Sequence, residues 1–292
     1  MGPRLKTAVF QSVGALLEHL PLRLSTSVAR ALAPRLLRRS PKWHHLRRNI
    51  AVISGGQGTG ADLDRQTARG AATYGAYWAE GAKLPNLPQA TMRRHFVIAE
   101  GLEYLEEAYA SGRGVIVALP HTGSWEWGGA IIADHGMPMT VVAEEVDPPE
   151  LFEWFCQKRA QIGITVEGLN ADAGTKLLTT LKEGGVVGLL CDRDIQGGGA
   201  PVSFFGVATT VPAGPATLAL RTGAVLLTAA CYMGPGDDHY AVITPPIEAE
   251  RQGRMRDDVY RISQAVTTSL EGLIRRAPEQ WHVLEDRFGA NA

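Results

Sequence analysis

Cysteine is scarce in this 292-residue chain, and long apolar runs are missing altogether. The three cysteines, Cys156, Cys191 and Cys231, are widely spaced and include no Cys-x-x-Cys pair. An odd count cannot be fully bridged, so no disulfide framework is expected and a reducing compartment is. No stretch reaches the roughly 18 apolar residues that a spanning helix needs. A signal peptide is not expected either. The stretch from Thr7 to Leu20 is broken by Gln11, Ser12, Glu18 and His19, and no small-residue cleavage site follows. The glycine-rich run Gly55–Gly60 lacks a following Lys-Ser or Lys-Thr, which removes the phosphate-loop reading. Ser124 lacks a Gly-x-Ser-x-Gly elbow. His121, Glu126 and His135 lack the His-Glu-x-x-His spacing of a zinc helix, so no metal is expected.

Charge is balanced overall, at a net -1, but unevenly placed. Residues 1–48 hold ten Lys or Arg and a single acid, Glu18, so the remainder carries a net negative charge. A basic end on an acidic body points to docking on an anionic surface. The basic residues are interleaved with Leu, Val and Ala at helical spacing, with few aromatics for base stacking. That pattern favours a membrane surface over nucleic acid, which is not expected as a partner. With 45% apolar residues, a large core is possible, and a single domain over 1–292 is expected.

Within that domain, residues 1–48 read as basic amphipathic helices, over 5–20 and 26–39, with Pro34 distorting the second. A helix follows over about 62–83, carrying Tyr74, Tyr77 and Trp78. From residue 96 to 292 the texture changes to short apolar strands alternating with helices. Val115–Leu119, Met139–Ala143, 165–167 and Val186–Cys191 read as strands, and helices are expected over 123–134, 150–162 and 172–182. A loop rich in Gly and Phe then leads to a helix over 213–222, a strand pair over 225–232 and 240–243, and a helix over 256–276. This alternation predicts an α/β domain with a central, mainly parallel sheet flanked by helices.

The chemistry concentrates in Leu119-Pro-His121-Thr-Gly-Ser124-Trp-Glu126-Trp127-Gly128. His121 falls just past the carboxyl end of a buried strand, where open α/β sheets bind ligands. A helix beginning near Gly123 or Ser124 puts Glu126 in its first turn, within reach of the imidazole. A carboxylate on one ring nitrogen fixes the tautomer and leaves the other nitrogen as a general base. An alcohol attacking a carbonyl needs such a base, whereas a thiolate leaving group, with a free thiol pKa of about 8.5, needs little acid help. The pair therefore suits direct acyl transfer from a thioester to a hydroxyl.

The segment resembles the His-x4-Asp/Glu motif of the bacterial lipid A biosynthesis (late) acyltransferase superfamily. Val187-Gly-Leu-Leu-Cys-Asp192-Arg193-Asp194 is similar to its second acidic loop. Ser203-Phe204-Phe205-Gly206 with Val211-Pro212-Ala213-Gly214 is similar to its Phe-Phe-Gly and Pro-x-Gly element, and Pro278-Glu279-Gln280-Trp281 with Arg287-Phe288 to its C-terminal signature. With the Asn49 region, the motifs run in the family's order over most of the chain. The missing span, the Asp-Arg-Asp loop and the Trp281 element lean towards the actinobacterial phosphatidylinositol mannoside acyltransferases.

The resemblance implies a glycerolipid-acyltransferase-like fold and a peripheral O-acyltransferase at the cytoplasmic membrane face. Such an enzyme passes a palmitoyl-type chain from acyl-CoA, a substrate rather than a cofactor, to a mannose hydroxyl of phosphatidylinositol mannoside. A lipid A-type acceptor is one alternative, and a non-catalytic lipid-binding protein at the membrane surface is the other. By the same resemblance Asp192 is a second candidate, beside Glu126, for the carboxylate on His121. Arg159 resembles a groove arginine suited to a phosphate of coenzyme A or of the inositol lipid. Arg193 and Ser124 are further substrate-binding candidates. Arg193 also reads as one half of an internal ion pair, and Phe204 and Phe205 read either as acyl-groove lining or as core.

Overall fold

Pro120 and the Gly112–Gly114 turn bracket a run, Val115–Leu119, that is apolar at every position, and that run becomes the middle of a sheet. A computed structural model describes residues 19–56 and 59–289. In it, β2 (Val115–Leu119) is enclosed on both faces. Val115 and Val117 pack on one side with Leu105, while Ile116 and Ala118 pack on the other with Ile262 and Val266. Such two-sided burial is why the strand reads as a continuous hydrophobic run instead of an alternation.

Seven strands form the sheet: β1 (Phe96–Glu100), β2, β3 (Met139–Ala143), β4 (Ile164–Gly168), β5 (Val186–Leu190), β8 (Val225–Met233) and β9 (His239–Ile243). Their order is β1-β9-β8-β2-β5-β3-β4, and every neighbouring pair is parallel except β8–β9. The helices that link them are α5 (Leu102–Ala110), α6 (Trp125–Asp134), α7 (Pro149–Ala160), α8 (Ala173–Lys182) and α9 (Gly214–Thr222). The long α10 (Met255–Arg275) crosses one face, with Val259, Ile262, Val266, Leu270, Leu273 and Ile274 buried at helical spacing. The mainly parallel, helix-flanked sheet expected from the sequence is therefore the fold.

Two elements go beyond the sequence reading. The residues expected as a Gly- and Phe-rich loop form a hairpin, β6 (Ala200–Phe204) and β7 (Val207–Val211). Its two-residue turn is Phe205-Gly206, with φ of 51° and 80°. Both turn residues take positive φ, the geometry that matches strand twist in tight hairpins. The alternation that reveals it is short: Ala200, Val202 and Phe204 point inward, with Pro201 and Ser203 outward. The other element is α2 (Pro41–Ile53), started by Ser40, whose hydroxyl accepts from Lys42 N, and by Pro41 in the first turn.

The expected helix over 5–20 lies almost wholly outside the described residues. The second basic helix, α1, runs from Leu22 to Leu37 and contains Pro34 in its last turn. It lies on α3 (Gly60–Lys83), which begins with a Thr59/Asp62 capping box. A short helix, α4 (Gln89–His95), leads into β1. The α1–α3 crossing is close. A Cβ on Gly75 would stand 2.5 Å from the Ala33 Cβ and 2.8 Å from the Ala29 carbonyl oxygen. With that face committed to α3, Leu24, Val28, Leu32 and Leu36 are left on the outside, each at least 45% exposed.

Gly75→Ala is therefore expected to destabilise the protein by about 1–3 kcal/mol in urea unfolding, because the neighbours across the contact are backbone and a short side chain. Gly174→Ala, on α8 with nothing within 4 Å of the added carbon, is the control and should be neutral or slightly stabilising. Equal effects at the two positions would contradict the tight crossing.

Candidate active site

The parallel register pairs Leu119 of β2 with Leu190 of β5. His121 and Asp192 each lie two residues beyond that pair, so the two strand ends deliver them to the same place. Cys191 N extends the ladder by donating to Leu119 O at 3.0 Å. Asp192 is fully buried, and three donors satisfy it. His121 Nδ1 meets Oδ1 at 2.6 Å, His121 N donates to Oδ2 at 2.8 Å, and Trp281 Nε1 donates to Oδ2 at 2.6 Å. Burial alone would raise this carboxyl. The His121 charge and these hydrogen bonds outweigh it and hold the group down at about 2. An ionised Asp192 can only accept, so Nδ1 carries the hydrogen, and Nε2 is left as the basic nitrogen of a ring that is 16% exposed.

The turn that carries His121 is fixed from several sides. Gly123 has φ of 53°, and a Cβ there would stand 2.4 Å from Cys231 O, so the position admits only glycine. Gly123 N donates to Gln280 O at 3.1 Å and His282 N to His121 O at 2.7 Å. The 280–282 segment thus runs alongside the turn that carries His121. His282 is itself buried, with Nε2 3.1 Å from Thr73 Oγ1. Burial, and then the neighbouring His121, push it down to about 3, so it is neutral. The Trp125 ring stands edge-on to His121 at 5.3 Å and stacks on Tyr77 at 4.1 Å.

The remaining sequence candidates separate. Glu126 does lie in the first turn of α6, but its carboxylate is turned to α7 and not to His121. Its Oε1 accepts from Arg159 Nε at 3.0 Å, from Arg159 Nη2, and from Tyr77 Oη at 3.2 Å. The carboxylate on the imidazole is Asp192. Burial would lower the Arg159 guanidinium, and Glu126 and Tyr77 more than offset that, so it stays charged beside the site. Ser124 is buried and donates to Glu80, which removes it from the substrate-facing set. Arg193 forms a two-pronged pair with Glu285, both contacts 2.6 Å.

Phe204 is a core residue, packed with Trp281 and Phe288 at ring separations of 5.8 and 5.9 Å, because it is an inward position of the hairpin. Phe205 occupies the turn, under Arg275 at 4.8 Å. Of the two readings open to both, groove lining and core, the packing supports the structural one. His135 bonds Ile131 O at the far end of α6 from His121. Among the described residues no three His, Cys, Asp or Glu side chains are grouped to hold a metal ion.

Trp281 is the site residue whose role as a donor the motifs do not disclose. A buried indole N–H needs a partner, and in a chain whose site holds a buried carboxylate that need is the available signal.

The family model described as "Bacterial lipid A biosynthesis acyltransferase" matches residues 5–289. The phosphatidylinositol mannoside acyltransferase of Mycolicibacterium smegmatis is 31% identical over 250 residues, covering 84% of this chain and 79% of that protein. Its Mycobacterium tuberculosis counterpart is also 31% identical over 250 residues, covering 84% and 77%. A lipid A biosynthesis acyltransferase of Haemophilus influenzae is 27% identical over 186 residues, covering 62% and 55%. With a match over nearly the whole chain and a histidine–aspartate pair at the strand ends, the chain belongs to the bacterial lipid A biosynthesis acyltransferase family.

Proposed function

We infer that this acyltransferase moves a palmitoyl-type chain from acyl-CoA to a mannose hydroxyl of a phosphatidylinositol mannoside, with His121 as general base. The observation that carries the reading is the His121–Asp192 pair, taken with the names of the two mycobacterial relatives. The acceptor hydroxyl gives its proton to His121 Nε2 as its oxygen attacks the thioester carbonyl. The tetrahedral intermediate then breaks its C–S bond, and the imidazolium returns the proton to the departing thiolate. Asp192 stays ionised throughout and stabilises the imidazolium. Glu126 holds Arg159, whose charge suits a phosphate of coenzyme A or of the inositol lipid. A lipid A-type acceptor, in keeping with the Haemophilus relative, is the second acceptor to test.

The membrane reading rests on α1. No helix among the described residues is long and apolar enough to cross a bilayer. The exposed stripe Leu24, Val28, Leu32 and Leu36 is flanked by Arg23, Arg35, Arg38 and Arg39, an arrangement that suits a helix lying in an anionic interface at the cytoplasmic face.

His121→Ala should lower transfer from labelled palmitoyl-CoA by about 10²–10⁴-fold with the fold intact. Near-parental transfer by that variant would remove the general base. Supplying mannosylated phosphatidylinositol and lipid A precursor side by side decides the acceptor. Turnover of neither, together with measurable lipid binding, would leave a lipid-binding protein without this activity.

Asp192 also predicts an acid signature. Its folded value of about 2 lies below the ordinary 3.8, so it stabilises the fold above the unfolded value. That contribution, about 2 kcal/mol, is lost as pH falls from about 4 to about 2. In denaturant titrations the parent should lose this increment over that window and Asp192→Asn should not. A parallel decline in both would show that the carboxyl is not held down.

Binding to vesicles should rise with anionic lipid content and fall with salt. Replacing Leu32 and Leu36 with Ser should weaken binding at fixed salt. Indifference to charge, salt and these replacements would remove α1 as the docking face.

A further inference from the structure

Behind the catalytic turn lies a buried polar cluster that the chemistry above does not use. Ser124 caps α6 without using its side chain for the cap. Its hydroxyl donates instead to Glu80 Oε2, from the last turns of α3. The same oxygen is 3.0 Å from His239 Nε2, and His239 Nδ1 is 2.8 Å from Asp237 O. Ser124, Glu80 and His239 are each buried to 3% exposure. Trp127 stacks on the His239 ring at 4.3 Å and closes that side.

The hydrogen bonds count the protons. A backbone carbonyl only accepts, so His239 Nδ1 carries a hydrogen. One further proton is then shared between His239 Nε2 and Glu80 Oε2, whichever atom it rests on. The pair has no net charge, and every polar atom in these contacts is matched, which is the condition for such groups to persist without water. Ser124 is the third residue after His121, and Gly123 between them is held by its N–H bond to Gln280 O at 3.1 Å. A tether on Ser124 therefore acts on the turn that holds His121 over Asp192.

We propose that Glu80, braced by His239, is a positioning residue that sets the His121 imidazole through its bond to Ser124. The proposal rests on the reading of His121 as general base. Neither Glu80 nor His239 touches the reacting atoms; they fix where the base stands. Transfer needs the basic nitrogen within hydrogen-bond reach of the acceptor hydroxyl, and a displacement of about 1 Å in such a group costs rate on the order of 100-fold.

The test uses Ser124→Ala, Glu80→Met and Glu80→Gln in the full chain. Ser124→Ala removes the tether and leaves no buried hydroxyl unmatched. Glu80→Met keeps the length and removes both bonds. Glu80→Gln keeps both, with its amide nitrogen in the place of Oε2, one N–H donating to His239 Nε2 and the other to Ser124 Oγ. The expected result is a fall in kcat of about 10- to 100-fold for Ser124→Ala and Glu80→Met, with the KM for donor and acceptor within about twofold of the parent, and recovery in Glu80→Gln. The downfield His121 Nδ1 proton resonance should weaken or shift in the first two and return in the third.

Ser124→Ala with parental kcat and an unchanged Nδ1 resonance overturns the proposal, and it does so even where Glu80→Met fails to fold. Loss of activity in Glu80→Gln equal to that in Glu80→Met also overturns it, since the bonds would then not be what matters. Should the parent transfer no acyl group to any acceptor, the function fails, and the Nδ1 resonance still decides the positioning role.

Discussion

A carboxylate with no contact to water is the constraint on which the rest of the site depends. Asp192 is fully buried, and an ion in that position persists only when hydrogen-bond donors compensate its charge. Its donors come from two distant stretches of chain: the backbone and ring of His121, and the indole of Trp281. Its own carbonyl is held by Arg287 Nε at 2.7 Å, and the same guanidinium reaches Thr209 and Thr210 of the hairpin. Asn49 on α2 donates to Val283 O and Glu285 O and so ties this C-terminal stretch to the helical end of the molecule. The family's ordered motifs, scattered over more than two hundred residues of sequence, are thus parts of one enclosure around one charge.

That enclosure explains what can be read from the sequence and what cannot. His121 is legible because a buried strand, a proline and a histidine stand next to one another. The sheet is legible because its middle strand, β2, is apolar at every position and short apolar strands alternate with helices around it. The choice between Glu126 and Asp192 is not legible. Five residues separate His121 from Glu126, and helical geometry permits either direction for a first-turn acid. The decision lies in the β2–β5 register and in Arg159, which draws Glu126 to α7. Neither is a local property. The hairpin escapes a sequence reading for a related reason. Its turn uses Phe205 at positive φ, which a sequence pattern assigns to glycine or asparagine, and its inward positions number only three per strand at most.

The same geometry accounts for the absence of a serine nucleophile from the chemistry. Ser124 stands three residues from His121, but its hydroxyl is committed to Glu80 within the interior. A covalent acyl-enzyme would need that hydroxyl facing the imidazole. A thioester donor does not need such an intermediate, because its leaving group departs readily and a single base can serve the incoming alcohol. A neutral His282 beside His121 fits the proposed scheme, since burial keeps His282 uncharged and no second cation faces the imidazolium that the scheme forms.

The exposed face of α1 gives a scale for its own share of the membrane association proposed above. Four side chains about half exposed, at roughly 1 kcal/mol each on burial of the remaining area, give about 4 kcal/mol. That corresponds to a partition constant of about 10³ M⁻¹, too weak for permanent attachment. Basic residues near an anionic surface add about 1 kcal/mol each, so Arg35, Arg38 and Arg39 raise the association by about two orders of magnitude without making it irreversible. Reversible docking is what the proposed substrates require. Acyl-CoA carries a large charged head that resides in water, whereas a mannosylated inositol lipid is anchored in the bilayer. A face of this strength would hold the enzyme where the second is found while leaving it open to the first.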